Sequence, residues 1–326
     1  MISNKLSDLT HPIKEELSRF QEEYKFSMKS KIGLVELVTR FILHQKGKKI
    51  RPILVLLSGK LAGTVNDRTY RGAILVELLH TATLVHDDVV DNAEQRRGFP
   101  SINAVWKNKI AVLMGDYLLA RGLMLAVDGT DFDFLKVITN TVKRMSEGEL
   151  LQTSKTRRLN IDEPTYYRII SDKTASLLAT CCEVGARSVT DDELKIEAMK
   201  NYGEFLGIAF QIRDDILDFV GKTSIIGKPL GGDIKEKKIT LPLIYALKNS
   251  EKSEAQKIIK AIRKGADSKS IKGIIEFVKD KKGIEYADSI AAEYCQKAKN
   301  CLSVFPDSIV KFSLLDLVDF VVERKN

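Results

Sequence analysis

Two clusters of aspartates are the residues in this 326-residue chain best suited to chemistry. Asp87-Asp88-Val89-Val90-Asp91 and Asp214-Asp215-Ile216-Leu217-Asp218 share one pattern: two adjacent acids, two apolar residues, a third acid. On a helix, the first and fifth positions of each cluster lie one turn apart on the same face, with the second beside them. Like charges at that spacing destabilise a bare helix by about 0.2–0.5 kcal/mol, so a sequence that carries the arrangement twice gains something from it. Oxygen-only donors suit a hard cation such as Mg²⁺, which keeps waters and shares its shell with phosphate oxygens. One such cluster reads equally well as a solvated acidic face; the repeat on a second long helix argues against that.

Cations lie close by. Arg96 and Arg97 follow the first cluster, Lys228, Lys235, Lys237 and Lys238 follow the second, and Lys48, Lys49 and Arg51 precede a helix start. Each alone reads as surface charge. Together with the aspartates they describe a site for polyanions held partly through metal and partly through Arg and Lys, with positive groups of the kind that stabilise a departing diphosphate. Other site chemistries are poorly represented. His11, His44, His80 and His86 show no HxxxH pairing for zinc. There is no G-x-G-x-x-G or P-loop, and Gly231-Gly232 reads as a flexible hinge. No nucleic-acid partner is expected, because the acidic clusters would repel phosphate without metal.

Helices must position these residues. In Tyr70–Asn92, Leu75, Leu78, Leu79, Ala82, Val85 and Val89 recur at three- and four-residue steps, and Asp191–Val220 repeats the pattern. Pro52 suits the first turn of a helix reaching about Leu61, and Pro164 starts another reaching about Gly185. Further helices are expected over Lys109–Val127, Phe132–Gln152, Leu241–Leu247, Glu254–Arg263, Ile284–Leu302 and Asp307–Glu323. Convincing alternating strands are absent. Gln95–Ser101 reads as a basic turn and Gly221–Ile239 as the longest loop; neither resembles an interdomain linker. The expectation is an all-α chain with one domain over residues 1–326.

The net charge is +8, with much of the basic excess in Ser253–Lys282, where solvated helix faces explain it and attraction to a membrane surface is the alternative. The polar, charged stretch Met1–Glu16 does not resemble a signal peptide. No apolar run approaches about 18 residues, so no membrane span is expected. Cys181, Cys182, Cys295 and Cys301 form no CxxC and read as reduced core residues. A cytoplasmic location is expected.

The motifs resemble those of the trans-isoprenyl diphosphate synthases, the polyprenyl synthetases, from about Gly47 to Pro242. Gly47-Lys48-Lys49-Ile50-Arg51-Pro52 is similar to the family's basic isopentenyl diphosphate motif, with Lys46 where a glycine is common. His80-Thr81-Ala82-Thr83-Leu84-Val85-His86 leading into Asp87–Asp91 and on to Arg96-Arg97-Gly98 resembles the first aspartate-rich motif. Ser171-Asp172-Lys173-Thr174-Ala175 resembles another substrate segment, Gln211–Asp218 the second aspartate-rich motif, and Gly227-Lys228-Pro229 through Asp233 and Lys238 the closing loop. The resemblance implies a large helical bundle of the isoprenoid synthase type around a central cavity. It also implies an enzyme that joins isopentenyl diphosphate to an allylic diphosphate with several Mg²⁺ ions, and a homodimer.

It implies roles as well. Asp87, Asp88 and Asp91 would hold Mg²⁺ on the allylic diphosphate, with Asp214 and Asp218 holding another ion. Arg96, Lys173, Gln211, Lys228 and Lys238 would contact the allylic substrate, and Thr174 would lie near the reacting carbons. Lys48, Arg51, His80 and Arg97 would bind isopentenyl diphosphate. All of these residues are intact, which argues against a noncatalytic helical metal-binding subunit. In this family a bulky aromatic four or five residues before the first cluster stops chain growth early. Ala82 and Thr83 stand there, with Leu79 about one turn deeper. A product longer than C20, of the kind that becomes a quinone side chain, is expected; a short-chain farnesyl or geranylgeranyl synthase is the alternative. The floor of the product tunnel falls to Phe132–Ile138 or to Leu118–Met124. Peripheral membrane contact would assist release of so greasy a product.

Overall fold

The computed structural model describes residues 7–45, 47–96, 98–221 and 230–322. Helices follow one another as α1 (Lys14–Ser27), α2 (Gly33–His44), α3 (Ile50–Ala62), α4 (Asp67–Val90), α5 (Ile102–Asp128), α6 (Phe132–Arg158), α7 (Glu163–Ile170), α8 (Ser176–Arg187), α9 (Glu193–Val220), α10 (Gly232–Lys235), α11 (Leu241–Lys248), α12 (Lys252–Lys264), α13 (Ser268–Asp280), α14 (Gly283–Cys301) and α15 (Ile309–Val322). Between α4 and α5 lies a small antiparallel hairpin, β1 (Gln95–Arg96) paired with β2 (Phe99–Pro100). The chain is all-α.

Local chemistry sets the helix boundaries. Asn66 begins α4: its side-chain oxygen accepts from the Thr69 N–H at 3.1 Å and its own N–H donates to the Thr69 hydroxyl at 3.2 Å, a reciprocal capping box. Ser101 accepts from the Ala104 N–H to start α5, and Asp162 accepts from the Thr165 N–H to start α7, with Pro164 in its first turn. α4 is buried around most of its circumference, which is why apolar and small residues fill nearly all of Gly72–Leu79.

Several boundaries differ from the sequence reading. The helix expected at Lys109 begins at Ile102 and bends at Lys107, whose φ is 69°. The helix expected to stop at Gln152 runs to Arg158, because Lys155, Arg157 and Arg158 complement the partial negative charge of its last turn. The single helix expected over 164–185 is two helices joined by a π-turn at Ser171–Ala175. Gly221–Ile239 is not one loop: α10 forms inside it, while 222–229 lie outside the described residues. Gly231-Gly232 is a fixed turn, not a hinge. Gly231 sits at φ 75°, and a Cβ there would meet Ile271 Cγ2 at 2.3 Å. Helices α1, α2 and α13 were not singled out. α5 is long and apolar enough to cross a membrane by length and composition, although Asp116 and Arg121 interrupt its apolar residues.

The chain forms two compact units. The first comprises Met1–Thr139, Thr180–Met199 and Phe305–Ser313. In it α4 and α5 pack antiparallel: a Cβ at Gly115 would collide with His86, and one at Gly122 would touch Leu75 and Leu78. A satellite core joins Val38, Val85, Ile102, Ala111 and Met114, with Phe41 edge-on to Trp106 at 5.0 Å. The second unit comprises Asn140–Ala179, Lys200–Val304 and Leu314–Asn326. Its core includes Tyr166, Ile212, Ile216, Phe219, Leu241, Leu243, Ile274 and Ala287. Here Gly203 and Gly207, one turn apart on α9, let that helix touch residues 175–179; a Cβ at Gly207 would lie 2.5 Å from Ala175 Cα. Gly207→Val is expected to destabilise the protein by about 1–3 kcal/mol through overpacking, visible as a lower denaturation midpoint at unchanged slope.

Candidate active site

The first aspartate cluster stands at the C-terminal end of α4. Asp87 and Asp88 lie in its last turn, and Asp91 caps it, donating its N–H to the Asp87 carbonyl at 2.8 Å. A helix C-terminus carries partial negative charge, so each carboxylate placed there costs about 0.3–1 kcal/mol unless a cation compensates. Arg96 on β1 supplies part of that compensation: its Nε donates to Asp88 Oδ1 at 2.7 Å, and Asp88 is buried. Asp87 and Asp91 face solvent. Arg97 lies outside the described residues.

Lys48, Arg51 and His80 meet in a single cleft of the first unit. Lys25, Lys49, Glu77 and Thr81 also line it. Lys49 adopts the left-handed conformation (φ 49°) just before α3 and so joins this basic group. Burial lowers the pKa of its ammonium; Lys25 adds to the effect and Glu77 opposes it. A half-buried cluster in which cations outnumber anions favours a phosphate-bearing ligand. Lys25 escaped the sequence reading because α1 did. Glu77 could have been noticed, being three residues before His80 on the same helix face.

In the second unit, Lys173, Thr174, Gln211 and Lys238 line one cavity with Gln152, Tyr166, Asp215 and Asp233. The Thr174 hydroxyl donates to Gln211 Oε1 at 3.0 Å, and Gln211 Nε2 donates to Asp215 Oδ1 at 2.8 Å. The Tyr166 hydroxyl donates to Asp215 Oδ2 at 2.7 Å. Burial and the neighbouring Asp233 push the Asp215 carboxyl up to about 8, against the two hydrogen bonds. The Lys173 ammonium reaches Glu149 at 2.5 Å and Gln152 at 2.9 Å, both on α6. Lys238 pairs with Glu236 at 2.6 Å. Tyr166, Asp215 and Gln152 were missed as site residues. Asp215 lay in plain view inside its motif; Tyr166 and Gln152 carried no local signal.

Asp214 and Asp218, one turn apart near the C-terminal end of α9, are half-buried. Asp218 is held from outside its helix, its two oxygens accepting from the Gly232 and Asp233 N–H groups at 3.0 Å each. The fixed glycine turn therefore orients this carboxylate. Lys228 lies outside the described residues.

The positions expected to govern product length are buried in the first unit. Ala82 and Leu79 are buried, and the half-buried Thr83 returns its hydroxyl to the His80 carbonyl at 2.8 Å. The register set by His86 against Gly115 and by Leu75 and Leu78 against Gly122 brings the Leu118 stretch of α5 level with Ala82. Leu118 is fully buried. Phe134 packs instead on Gly72, nearly three turns farther from the aspartates. Of the two stretches considered for the tunnel floor, Leu118–Met124 is the nearer to Ala82.

The donor chemistry fits a hard divalent ion. Among the described residues, no three His, Cys, Asp or Glu side chains converge into a ready cage. Each motif offers carboxylate oxygens one turn apart, the donor set for an ion that fills its shell with water and substrate phosphate.

The family model described as Polyprenyl synthetase matches residues 33–278. An all-trans-nonaprenyl-diphosphate synthase (geranyl-diphosphate specific) from Rhodobacter capsulatus is 34% identical over 97% of this chain and 97% of its own length. A polyprenyl synthase from Caulobacter crescentus, solved with calcium and isoprenyl diphosphate, is 34% identical, with a TM-score of 0.90 over 98% of both chains. A geranylgeranyl pyrophosphate synthase from Bacteroides thetaiotaomicron is 37% identical, with a TM-score of 0.84 over 98% of this chain and 100% of its own. Sequence and fold agree along nearly the whole chain: it belongs to the polyprenyl synthetase family and is a trans-prenyl diphosphate synthase.

Proposed function

We propose that this divalent-metal-dependent prenyltransferase uses Mg²⁺ to condense isopentenyl diphosphate with an allylic diphosphate into a polyprenyl diphosphate longer than C20. The observation that carries the length is the small, buried Ala82 five residues before Asp87. The similar proteins above include both a nonaprenyl and a geranylgeranyl synthase, so length must be read from this chain's own residues.

Lys48, Arg51, His80 and Arg97 would bind isopentenyl diphosphate; the first three line the basic cleft of the first unit. Arg96, Lys173, Gln211, Lys228 and Lys238 hold the allylic diphosphate, and Thr174 stands near the reacting carbons. Asp87, Asp88 and Asp91 would hold Mg²⁺, and Asp214 and Asp218 another ion. When bound there, the metal would supply Lewis-acid chemistry toward the leaving diphosphate, a contribution of several kcal/mol. The cationic side chains add to that pull from fixed positions. As the allylic C–O bond breaks, the double bond of isopentenyl diphosphate supplies the electrons for the new C–C bond, and a proton then leaves. The departed diphosphate accepts that proton. Apolar helix faces exclude the water that would quench the allylic cation. Five further carbons buried with each addition are worth about 4 kcal/mol, at about 0.8 per methylene, so long products leave slowly.

The reading extends to a single domain, a homodimer and a cytoplasmic location. An exposed apolar face on α5, with Leu113, Met124 and Val127 about half exposed, supports burial against a second copy. The exposed lysines of α12 and α13 support peripheral contact with an anionic membrane during product release.

Purified protein incubated with labelled isopentenyl diphosphate, an allylic primer and Mg²⁺ tests the length. Chromatography of the dephosphorylated product is expected to show chains beyond C20. A product ending at C15 or C20 would replace this reading with a short-chain one.

A further inference from the structure

The substrate segment Ser171–Ala175 is wound as a π-turn, a wide coil that is rare and concentrates at functional sites. Something must hold it, and α6 and α9 do so from both sides. Gly148 on α6 lies so close that a Cβ there would stand 3.0 Å from the Lys173 backbone nitrogen, and Gly207 on α9 touches Ala175. One turn before Gly148, Arg144 extends its guanidinium across the start of the turn. Its Nε donates to Asp172 Oδ1 at 2.8 Å and its Nη2 to Ser171 Oγ at 2.9 Å. The same group grips Glu204 on α9 at 2.8 and 3.2 Å, and the Ser171 hydroxyl donates to Glu204 as well. Arg144 is half-buried, and nothing in the reaction above uses it.

We infer that Arg144 is a positioning residue: its fork ties α6, the π-turn and α9 together so that Lys173 presents its ammonium to the allylic diphosphate. A planar guanidinium can bond Asp172, Ser171 and Glu204 at once; an ammonium is a compact point charge that cannot reproduce the fork. The inference rests on the proposed contact of Lys173 with the allylic substrate.

The test is a kinetic double-mutant cycle on the full-length enzyme. Arg144→Lys keeps the charge and is expected to fold with a near-normal melting temperature. It should lower kcat/KM for the allylic diphosphate about tenfold or more and leave the KM for isopentenyl diphosphate within twofold. Ser171→Ala, which removes one bond of the same network, should move the same constant in the same direction to a smaller extent. Lys173→Met should impair allylic kcat/KM by itself, and adding Arg144→Lys to it should cost no more than about twofold further, because the first residue acts through the second. The inference is overturned if Arg144→Lys lowers only the melting temperature, if it affects both substrates equally, or if its effect multiplies with that of Lys173→Met. A Lys173→Met enzyme with normal allylic kinetics would instead remove the underlying contact, and the inference with it.

Discussion

Asp87→Ala and Asp214→Ala are each expected to lower turnover by about 10²–10³-fold or more, with the helical circular dichroism spectrum unchanged. Both carboxylates stand near the C-terminal ends of long helices, α4 and α9, each one turn from a like charge. Removing either relieves repulsion with the acid one turn away, and for Asp87, in the last turn of α4, also an unfavourable interaction with the helix dipole. Stability should therefore hold or rise by a few tenths of a kcal/mol while activity collapses. That opposition is what separates a ligand-holding acid from a structural one, whose loss would lower both. Near-normal turnover in either variant would end the assignment. Steady-state kinetics and a denaturation curve on the same preparations give both readings.

Ala82→Phe is expected to shift the product to a shorter chain with little loss of total condensation. Ala82 is buried on α4, level with the Leu118 stretch of α5. If its face borders the growing chain, the new ring occupies volume that later isoprene units would fill. If Ala82 is only helix packing, the same ring enters a close-packed interface at a cost of about 1–3 kcal/mol and leaves product length alone. Chromatography of the dephosphorylated products beside a melting curve distinguishes these outcomes; a strongly destabilised variant with unchanged products would remove Ala82 from the product path.

The parts legible in the sequence were those with local causes. α4 and α9 announced themselves by apolar steps of three and four, and both aspartate clusters lie on these helices or at their ends, their acids one turn apart. Lys48, Arg51 and His80 share one cleft, and Lys173, Thr174, Gln211 and Lys238 share one cavity, although each group comes from separate elements. What stayed hidden depends on tertiary contact. The π-turn at 171–175 leaves no mark in a helical pattern, and the contacts around it, from Arg144, Gly148 and Gly207, are tertiary. Tyr166 gains its place only through Asp215, 49 residues away. Gly231-Gly232 looked flexible because the contact with Ile271 and the backbone bonds to Asp218 that fix it are both non-local.

The most direct measurement counts the two products of one reaction. Labelled isopentenyl diphosphate and an allylic diphosphate are mixed with the enzyme, and released pyrophosphate and label in the extractable prenyl product are quantified together. One pyrophosphate per isopentenyl unit incorporated is expected, with both signals abolished by chelation and restored by Mg²⁺. Pyrophosphate released without incorporated label, or label incorporated at full rate in the absence of divalent ions, would contradict a metal-assisted condensation.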